Sequence, residues 1–415
     1  MIPKLNLKEV FYSISQHKLR NALTGFGIAW GIFILMLMMG FGDSFQKGIF
    51  KIFNGYADNT IWVYGGETSL NYKGETAGKQ VLFDEELLEK FKNHFSEIEH
   101  ISADANAPQG MQVSYDQNTA MGSLKGVNMS FFKIKKLALK SGRLFNKNDV
   151  NSQKPVCIIS ESTAEILFKK KKKSIGEYIN VGGNYFQVVG ISKPGSMFDQ
   201  SDRNSIFIPY NYYKSLFNAN SMGNFMMSLK KEVDGKAFDK QFKKYLANLY
   251  GYDVEDSKAV FTYNLSEEVE NFQTLFSGVQ IFIWFVGFCI LLTGIISVGN
   301  IMYVNINERT REIGIRKAIG ASPRDILQMI LIESIALTTM AGFVGVFFGF
   351  IVVYLLNYIV QSMAKEGDLI RSVGVNFPIV ITSLIILIIS GVIAGILPAI
   401  KASKIRPVIA LNQEN

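Results

Sequence analysis

Cysteine and histidine are scarce in this chain, two and three among 415 residues, and that scarcity removes whole classes of chemistry. Cys157 lies in a mixed polar segment and Cys289 inside a long apolar run, so no intramolecular disulfide is expected. His94 and His100 stand near Glu97 and Glu99 without the spacing of a zinc site, and a solvated helix end is the plainer reading. No Gly-x-x-x-x-Gly-Lys-Ser/Thr run is present to cradle nucleotide phosphates. A Gly-x-Ser-x-Gly elbow is also missing, and Ser160 in Ile-Ile-Ser-Glu-Ser reads as an ordinary strand-end serine. The chain is therefore not expected to be an ATPase or a hydrolase, and no catalytic, cofactor-binding or metal-ligating residue is assigned.

Lysine and arginine are missing from four long apolar stretches, approximately Ala22–Gly42, Gly278–Val304, Leu327–Tyr358 and Pro378–Ile400. Each is long enough for a membrane-spanning helix, which takes roughly 20 residues. Glu333 is the one acid among them, one or two turns from an end, and it is expected to reach the interface or bond a neighbouring helix. The first stretch is too long for a signal-peptide core and has no Ala-x-Ala site before Asp43, so it is read as a retained span. Before it, Lys8–Thr24 reads as an amphipathic helix along the inner membrane face.

What charge there is sorts by side. Lys4, Lys8, Lys18 and Arg20 precede the first span, Arg309, Arg311, Arg316, Lys317 and Arg324 lie between the second and third, and Lys401, Lys404 and Arg406 follow the fourth. The third–fourth connection balances Lys365 and Arg371 with Glu366 and Asp368. Both termini and the basic connection are thus expected in the cytoplasm of a multi-pass cell (inner) membrane protein. The net charge of +8 is then membrane topology and not a nucleic-acid surface. The domains expected are an amphipathic leading helix over 1–21, spans over 22–42, 278–304, 327–358 and 378–400, and an extracytoplasmic domain over 43–277. A cytoplasmic element over 305–326, an outer loop over 359–377 and a cytoplasmic tail over 401–415 complete the chain.

The large outer region alternates strand-like runs (Thr60–Tyr64, Met111–Tyr115, Val156–Ile159, Tyr185–Ile191, Ser205–Ile208) with helical ones (Asp84–Phe95, Glu161–Phe168, Phe238–Leu249). It reads as α+β, in two subdomains. At its ends, Phe41, Phe45, Ile49, Ile52 and Tyr56 recur at helical spacing, as do Leu265, Val269, Phe272, Phe276 and Val279. The two stripes form a helical stalk if they pack on each other; otherwise each packs on its own domain. Lys169–Lys173 reads as a solvated loop tip, with contact to anionic headgroups or an acidic partner as the alternative. Gly27–Gly31, Gly345–Gly349 and Gly391–Gly395 are Gly-x-x-x-Gly pairs that permit close helix approach.

The connection Asn307–Ser322 is basic and amphipathic, with Ile315, Ala318 and Ile319 on one helical stripe. Gly320 breaks that helix, and Ser322-Pro323-Arg324-Asp325 starts the next with a capping serine and proline at the first position. Such an element suits docking of a cytoplasmic partner; a plain juxtamembrane basic loop is the bland reading.

Several segments resemble the permease subunits of macrolide-exporter-type (MacB/FtsX-like, type VII, mechanotransmission) ABC transporters. These are Lys8–Phe45, the turn Gly142–Asp149 (GRLFNKND), the run from Ser160 to Ile191, Leu331–Ser334, and Leu397-Pro398-Ala399 with Ala402, Pro407, Ala410 and Leu411. The most specific is Glu308–Ile326, ERTREIGIRKAIGASPRDI. The resemblance implies an α-helical membrane protein with four transmembrane helices plus a large extracytoplasmic α+β domain on a helical stalk. It implies a permease that couples ATP hydrolysis by a separate cytoplasmic ABC ATP-binding subunit to conformational work outside the membrane. ATP-Mg would sit on that partner, and no ATPase is expected in this chain. A second permease copy, in a homo- or heterodimer, is implied, with a periplasmic adaptor and membrane lipid as further partners; nucleic acid is not among them. Carried over by position, Glu308, Arg309, Arg311, Glu312, Ile315, Arg316 and Lys317 are the ATPase-docking residues, and Phe45, Ile49, Ile52, Leu265, Val269, Phe272 and Phe276 the stalk. The work is export or extraction of a drug, peptide, lipid or lipoprotein; the alternative is a permease-like regulator that activates a cell-wall hydrolase or sensor partner without transport.

Overall fold

In the computed structural model, the described residues are 18–53, 55–57, 59–107, 110–169, 174–193, 202–219, 221–363, 374, 377–407 and 410. Gly48–Thr274 forms one compact unit, and the described residues before and after it form the other. Most of the Lys8–Thr24 helix expected from sequence and residues 170–173 of the lysine run lie outside the described residues.

The apolar unit is built from helices. Helix α1 (Lys18–Phe53) begins it. Later in the chain come α8 (Leu265–Glu308), the short α9 (Thr310–Ala318), α10 (Pro323–Met363) and α11 (Phe377–Ser403). Among the described residues three helices are long and apolar enough to cross a membrane, over Gly25–Lys51, Leu265–Glu308 and Pro323–Met363. The described side chains of α11 give a shorter apolar helix, Ile388–Ser403. α8 and α10 continue well beyond the stretches read from composition, because polar turns at their ends extend an apolar middle.

Helix α1 (through Ile28, Ile32 and Met36), α8 (through Val298, Met302 and Ile306), α10 and α11 share one buried cluster. Glycines decide how closely they approach. A side chain at Gly391 would collide with Thr338, and one at Gly395 would lie 2.7 Å from the Ser334 hydroxyl, so α11 rests its Gly-x-x-x-Gly face on Ser334 and Thr338 of α10. Gly345 sits against the backbone of Ala29, and a side chain at Gly349 would lie 3.1 Å from the Met36 sulfur, so α10 rests closely on α1. Gly31 meets Ile290 of α8, whereas Gly27 faces open space; the first Gly-x-x-x-Gly pair therefore makes one close contact, not two.

The Gly48–Thr274 unit contains eleven strands among its described residues. Strands β1 (Thr60–Gly65), β2 (Ile98–Asn106), β10 (Asn224–Leu229) and β11 (Val260–Asn264) form an open antiparallel sheet in the order β11-β1-β10-β2. Helices α2 (Glu85–His94) and α7 (Gly235–Tyr250) fill one core with Phe91, Phe225, Phe238 and Phe242. Asp234 caps α7 by accepting from the N–H groups of Lys236 and Ala237, and Gly251 ends it at φ +70°.

Strand β4 (Asn118–Val127) is shared. Its first half pairs with β3 (Met111–Tyr115), and its second half pairs antiparallel with β2 and parallel with β9 (Ser205–Pro209). With β6 (Val156–Ser160), β7 (Tyr178–Val181) and β8 (Asn184–Ser192) these close a ring, β4-β3-β7-β8-β6-β9, which removes free edges. Strand β5 (Leu139–Gly142) pairs with β8 outside it. Short helices α3 (Met129–Ile134), α4 (Lys147–Asn151), α5 (Glu161–Phe168) and α6 (Tyr210–Phe217) complete the unit. The GRLFNKND segment is a β5-to-α4 corner: Gly142 takes φ +83°, Asn146 and Asp149 form a reciprocal capping box, and Arg143 pairs with Asp149. The open sheet and the ring are joined through the β2–β4 pairing and lie within one compact unit.

Ser160 is an N-cap. Its hydroxyl accepts from the Thr163 N–H at 3.3 Å and donates to the Thr163 hydroxyl at 2.8 Å, which is a helix-starting role. His94 is exposed, as expected for a helix end, but it is not merely solvated: its ring lies 4.7 Å from Tyr245 and 4.7 Å from Phe95.

Candidate coupling site

The connection between α8 and α10 forms its helix where the charge pattern suggested. α9 spans Thr310–Ala318, and Gly320 breaks it at φ +109°, a conformation that favours glycine. Ser322 and Asp325 then cap α10 reciprocally: Ser322 N–H donates to the Asp325 carboxylate at 2.8 Å, and Asp325 N–H donates to the Ser322 hydroxyl at 3.3 Å.

The surrounding charges are paired in a way that composition alone does not reveal. Arg20 of α1 presents its guanidinium fork to Glu308, with both bonds at 2.9 Å, and also donates to Asn305. Arg309 stands at the N-cap of α9; it donates to both Glu333 oxygens at 3.3 and 3.4 Å and to Glu312 at 3.1 Å. Glu333 is only 4% exposed, so the intramembrane acid read from sequence is buried against a cation supplied by α9. A carboxylate so placed is costly without such a partner. Lys317 donates to the carbonyls of Ser403 and Ile405, both at 2.7 Å, and so caps the end of α11. Gly314 lies under Ala410, where a side chain would leave no room.

The seven expected docking residues therefore divide. Arg309 and Lys317 point inward and fasten α9 to α10 and to the end of α11, with Ile313 and Gly314 buried beside them. Glu308 is engaged by Arg20. Arg311, Glu312, Ile315 and Arg316 are exposed, and Ile319 is 82% exposed. Arg311, Ile315 and Ile319 recur at four-residue spacing along this outward side. Arg20, Asn305 and the tail carbonyls escaped sequence reasoning because their partners are distant in the chain. Arg20 had a signal in being the last cation before an apolar run.

The expected stalk residues also divide. Phe45 and Phe276 meet edge to face with ring centroids 5.8 Å apart, and Phe272 meets Phe53 at 5.7 Å. Ile49 is buried and Val269 half-buried. Leu265 is packed in the cluster of Trp62, Phe131 and Phe207, against which Phe53 and Tyr56 also lie. The Ile52 side chain lies outside the described ones. Tyr56, beyond the end of α1, packs against Trp62.

Residues 21–245 match the family model for the MacB-like periplasmic core domain, and residues 284–407 match that for the FtsX-like permease C-terminal region. The chain belongs to the MacB/FtsX family of ABC transporter permeases. It is 28% identical over 410 residues to the uncharacterized ABC transporter permease YknZ of Bacillus subtilis, covering 99% of both chains. It is 29% identical to the macrolide export ATP-binding/permease protein MacB of Pasteurella multocida, over 96% of this chain and 58% of that one. With the probable syringafactin export protein SyfD of Pseudomonas syringae pv. syringae it shares 28% identity over 97% of this chain and 59% of the relative. The chain thus spans under two thirds of those two ATP-binding/permease relatives. The periplasmic region of MacB from Actinobacillus actinomycetemcomitans aligns with 53% of this chain, covering 95% of that structure, at 18% identity and a TM-score of 0.42.

Proposed function

We propose that this permease couples ATP hydrolysis by a separate cytoplasmic ABC ATP-binding subunit to movement of its extracytoplasmic domain, and that the work done is export or extraction of a drug, peptide, lipid or lipoprotein. The observation that carries this reading is the double-sided construction of α9. Its inner side is fastened by Arg309 and Lys317, and its outer side offers Arg311, Ile315 and Ile319. A helix anchored to two long apolar helices can pass force to them without folding away, and an exposed cation-plus-isoleucine face suits a protein partner better than water.

Four spans, cytoplasmic termini and a paired assembly of two permeases with two ATPases belong to the same proposal. The basic residues of α9 and of the tail support that orientation. The names of two relatives, which describe macrolide and syringafactin export, support export as the work done. The ring pairs Phe45–Phe276 and Phe53–Phe272 support α1 and α8 as paired carriers of the motion.

The test is purification of the tagged chain in mild detergent, with ATPase turnover measured on what accompanies it. Wild type is expected to retain an ATP-binding subunit, and Arg311→Glu with Ile315→Asp to weaken that association by about tenfold or more. An unchanged association in the double variant would remove α9 as the docking element.

A further inference from the structure

Glu333 is buried within a helix expected to cross the membrane, yet its partner belongs to the connection outside it. The reading of the chain as an ATPase-coupled permease leaves this pair without a role. We infer that Glu333 is the positioning residue of the docking helix: through Arg309 it sets the direction in which α9 leaves α8 and thereby aims Arg311 and Ile315. The inference rests on the docking role proposed for α9.

Three observations converge on it. Arg309 is the N-cap residue of α9, so fixing its side chain fixes the first turn of that helix. Its guanidinium takes Glu333 through one nitrogen and Glu312 through another, so the planar fork is oriented on two sides. Glu333 itself cannot drift, because the next residue, Ser334, is fully buried against Gly395 of α11. The same stretch of α10 thus presents a helix-packing hydroxyl to α11 and a directing carboxylate to α9. Lys317, three turns or less along α9, ties the other end to the α11 carbonyls. With both ends held, a push on the exposed face turns α9 together with α10 and α11.

A purely structural ion pair predicts different behaviour from a positioning one. Replacing both partners of a buried pair by apolar side chains of similar size commonly preserves folding, but it removes the directional fork. The experiment uses the full chain in lipid nanodiscs, in a Cys289→Ala background, with spin labels on cysteines replacing Ala318 in α9 and Gln328 in α10. Distances are measured for the unaltered pair, for Glu333→Gln, and for Arg309→Met with Glu333→Leu. The expected result is one narrow distance with the pair intact and a broadened or displaced distribution in both variants, while the apolar pair restores yield and thermal stability. In detergent extracts, the apolar pair should also hold the co-purifying ATP-binding subunit about tenfold less tightly than the unaltered chain does. A narrow, unshifted distance in the apolar pair would overturn the positioning role, whatever the ATPase does. A shifted distance with wild-type ATPase retention would uphold the positioning of α9 and count against α9 as the docking face. The two readings therefore fail separately.

Discussion

At the scale of single residues, the β-rich unit keeps its charges inside by pairing them closely. Asp202 accepts from Lys125 at 2.6 Å and from Lys135, and all three side chains are buried. Burial alone would raise the Asp202 carboxyl, but Lys135 and Lys125 outweigh it and hold the group well below the ordinary carboxylate range. Asp202→Asn would strand the Lys125 ammonium in the interior, and we expect a loss of about 3–5 kcal/mol in unfolding free energy. Urea unfolding followed by tryptophan fluorescence would read it; a shift near zero would show that water reaches the cluster. Asp256 works by hydrogen bonds instead. Burial would raise its carboxyl, but the Ser69 hydroxyl and the N–H groups of Leu70, Ser69 and Lys258 bring it down to about 2. A folded value below the unfolded one means the clasp contributes fully above about pH 4 and is lost as pH falls through about 2. Asp256→Asn should therefore loosen the Ser69–Leu70 loop at neutral pH and flatten that acid dependence, as hydrogen exchange of the two amides would show.

At the scale of elements, close helix approach is concentrated at particular glycines. Gly391→Val would drive a methyl group into Thr338 and part α11 from α10, whereas Gly27→Ala meets nothing within 4 Å. We expect the first to lower the melting temperature of the detergent-solubilised chain clearly and the second to leave it unchanged; equal effects would contradict the packing. All three Gly-x-x-x-Gly pairs could be read from the sequence, but not that Ser334 and Thr338 are the partners of one or that Gly27 has none, since spacing reports a face and not its neighbour. The same limit applied to strands. Met111–Tyr115 and Val156–Ser160 are rich in β-formers and showed in the sequence, while Asn118–Val127, with Gly122, Ser123 and Lys125, did not. That strand is long because both halves find partners, β3 on one and β2 with β9 on the other. In the coupling site, the helix, its glycine break and its capping serine were local and legible. The inward turn of Arg309 and Lys317 was not, because Glu333 and the Ser403 and Ile405 carbonyls reach them only after α10 and α11 have packed.

For the whole molecule, everything proposed about coupling depends on which side of the membrane each part occupies, and one labelling experiment decides it. Leu70, in the β-rich unit, is 45% exposed, and Ile319, just past α9, is 82% exposed. Single cysteines at these positions, in a Cys289→Ala background that leaves the buried Cys157 in place, would be challenged with a membrane-impermeant maleimide. In right-side-out vesicles the cysteine at position 70 should react and the one at position 319 should not; inverted vesicles should reverse the pattern. Electrostatics favours this outcome. Arg311, Arg316, Lys317, Arg324, Lys401, Lys404 and Arg406 gather at one end of the apolar helices, and moving them across the bilayer during insertion is disfavoured at every one. Should the cysteine at position 319 react from outside, α9 would face away from any ATP-binding subunit, and the exposed Arg311–Ile315–Ile319 face would have to serve a partner outside the cell. The positioning of α9 by Glu333 would survive that result, because it depends on a contact within the helical unit and not on the side from which the partner comes.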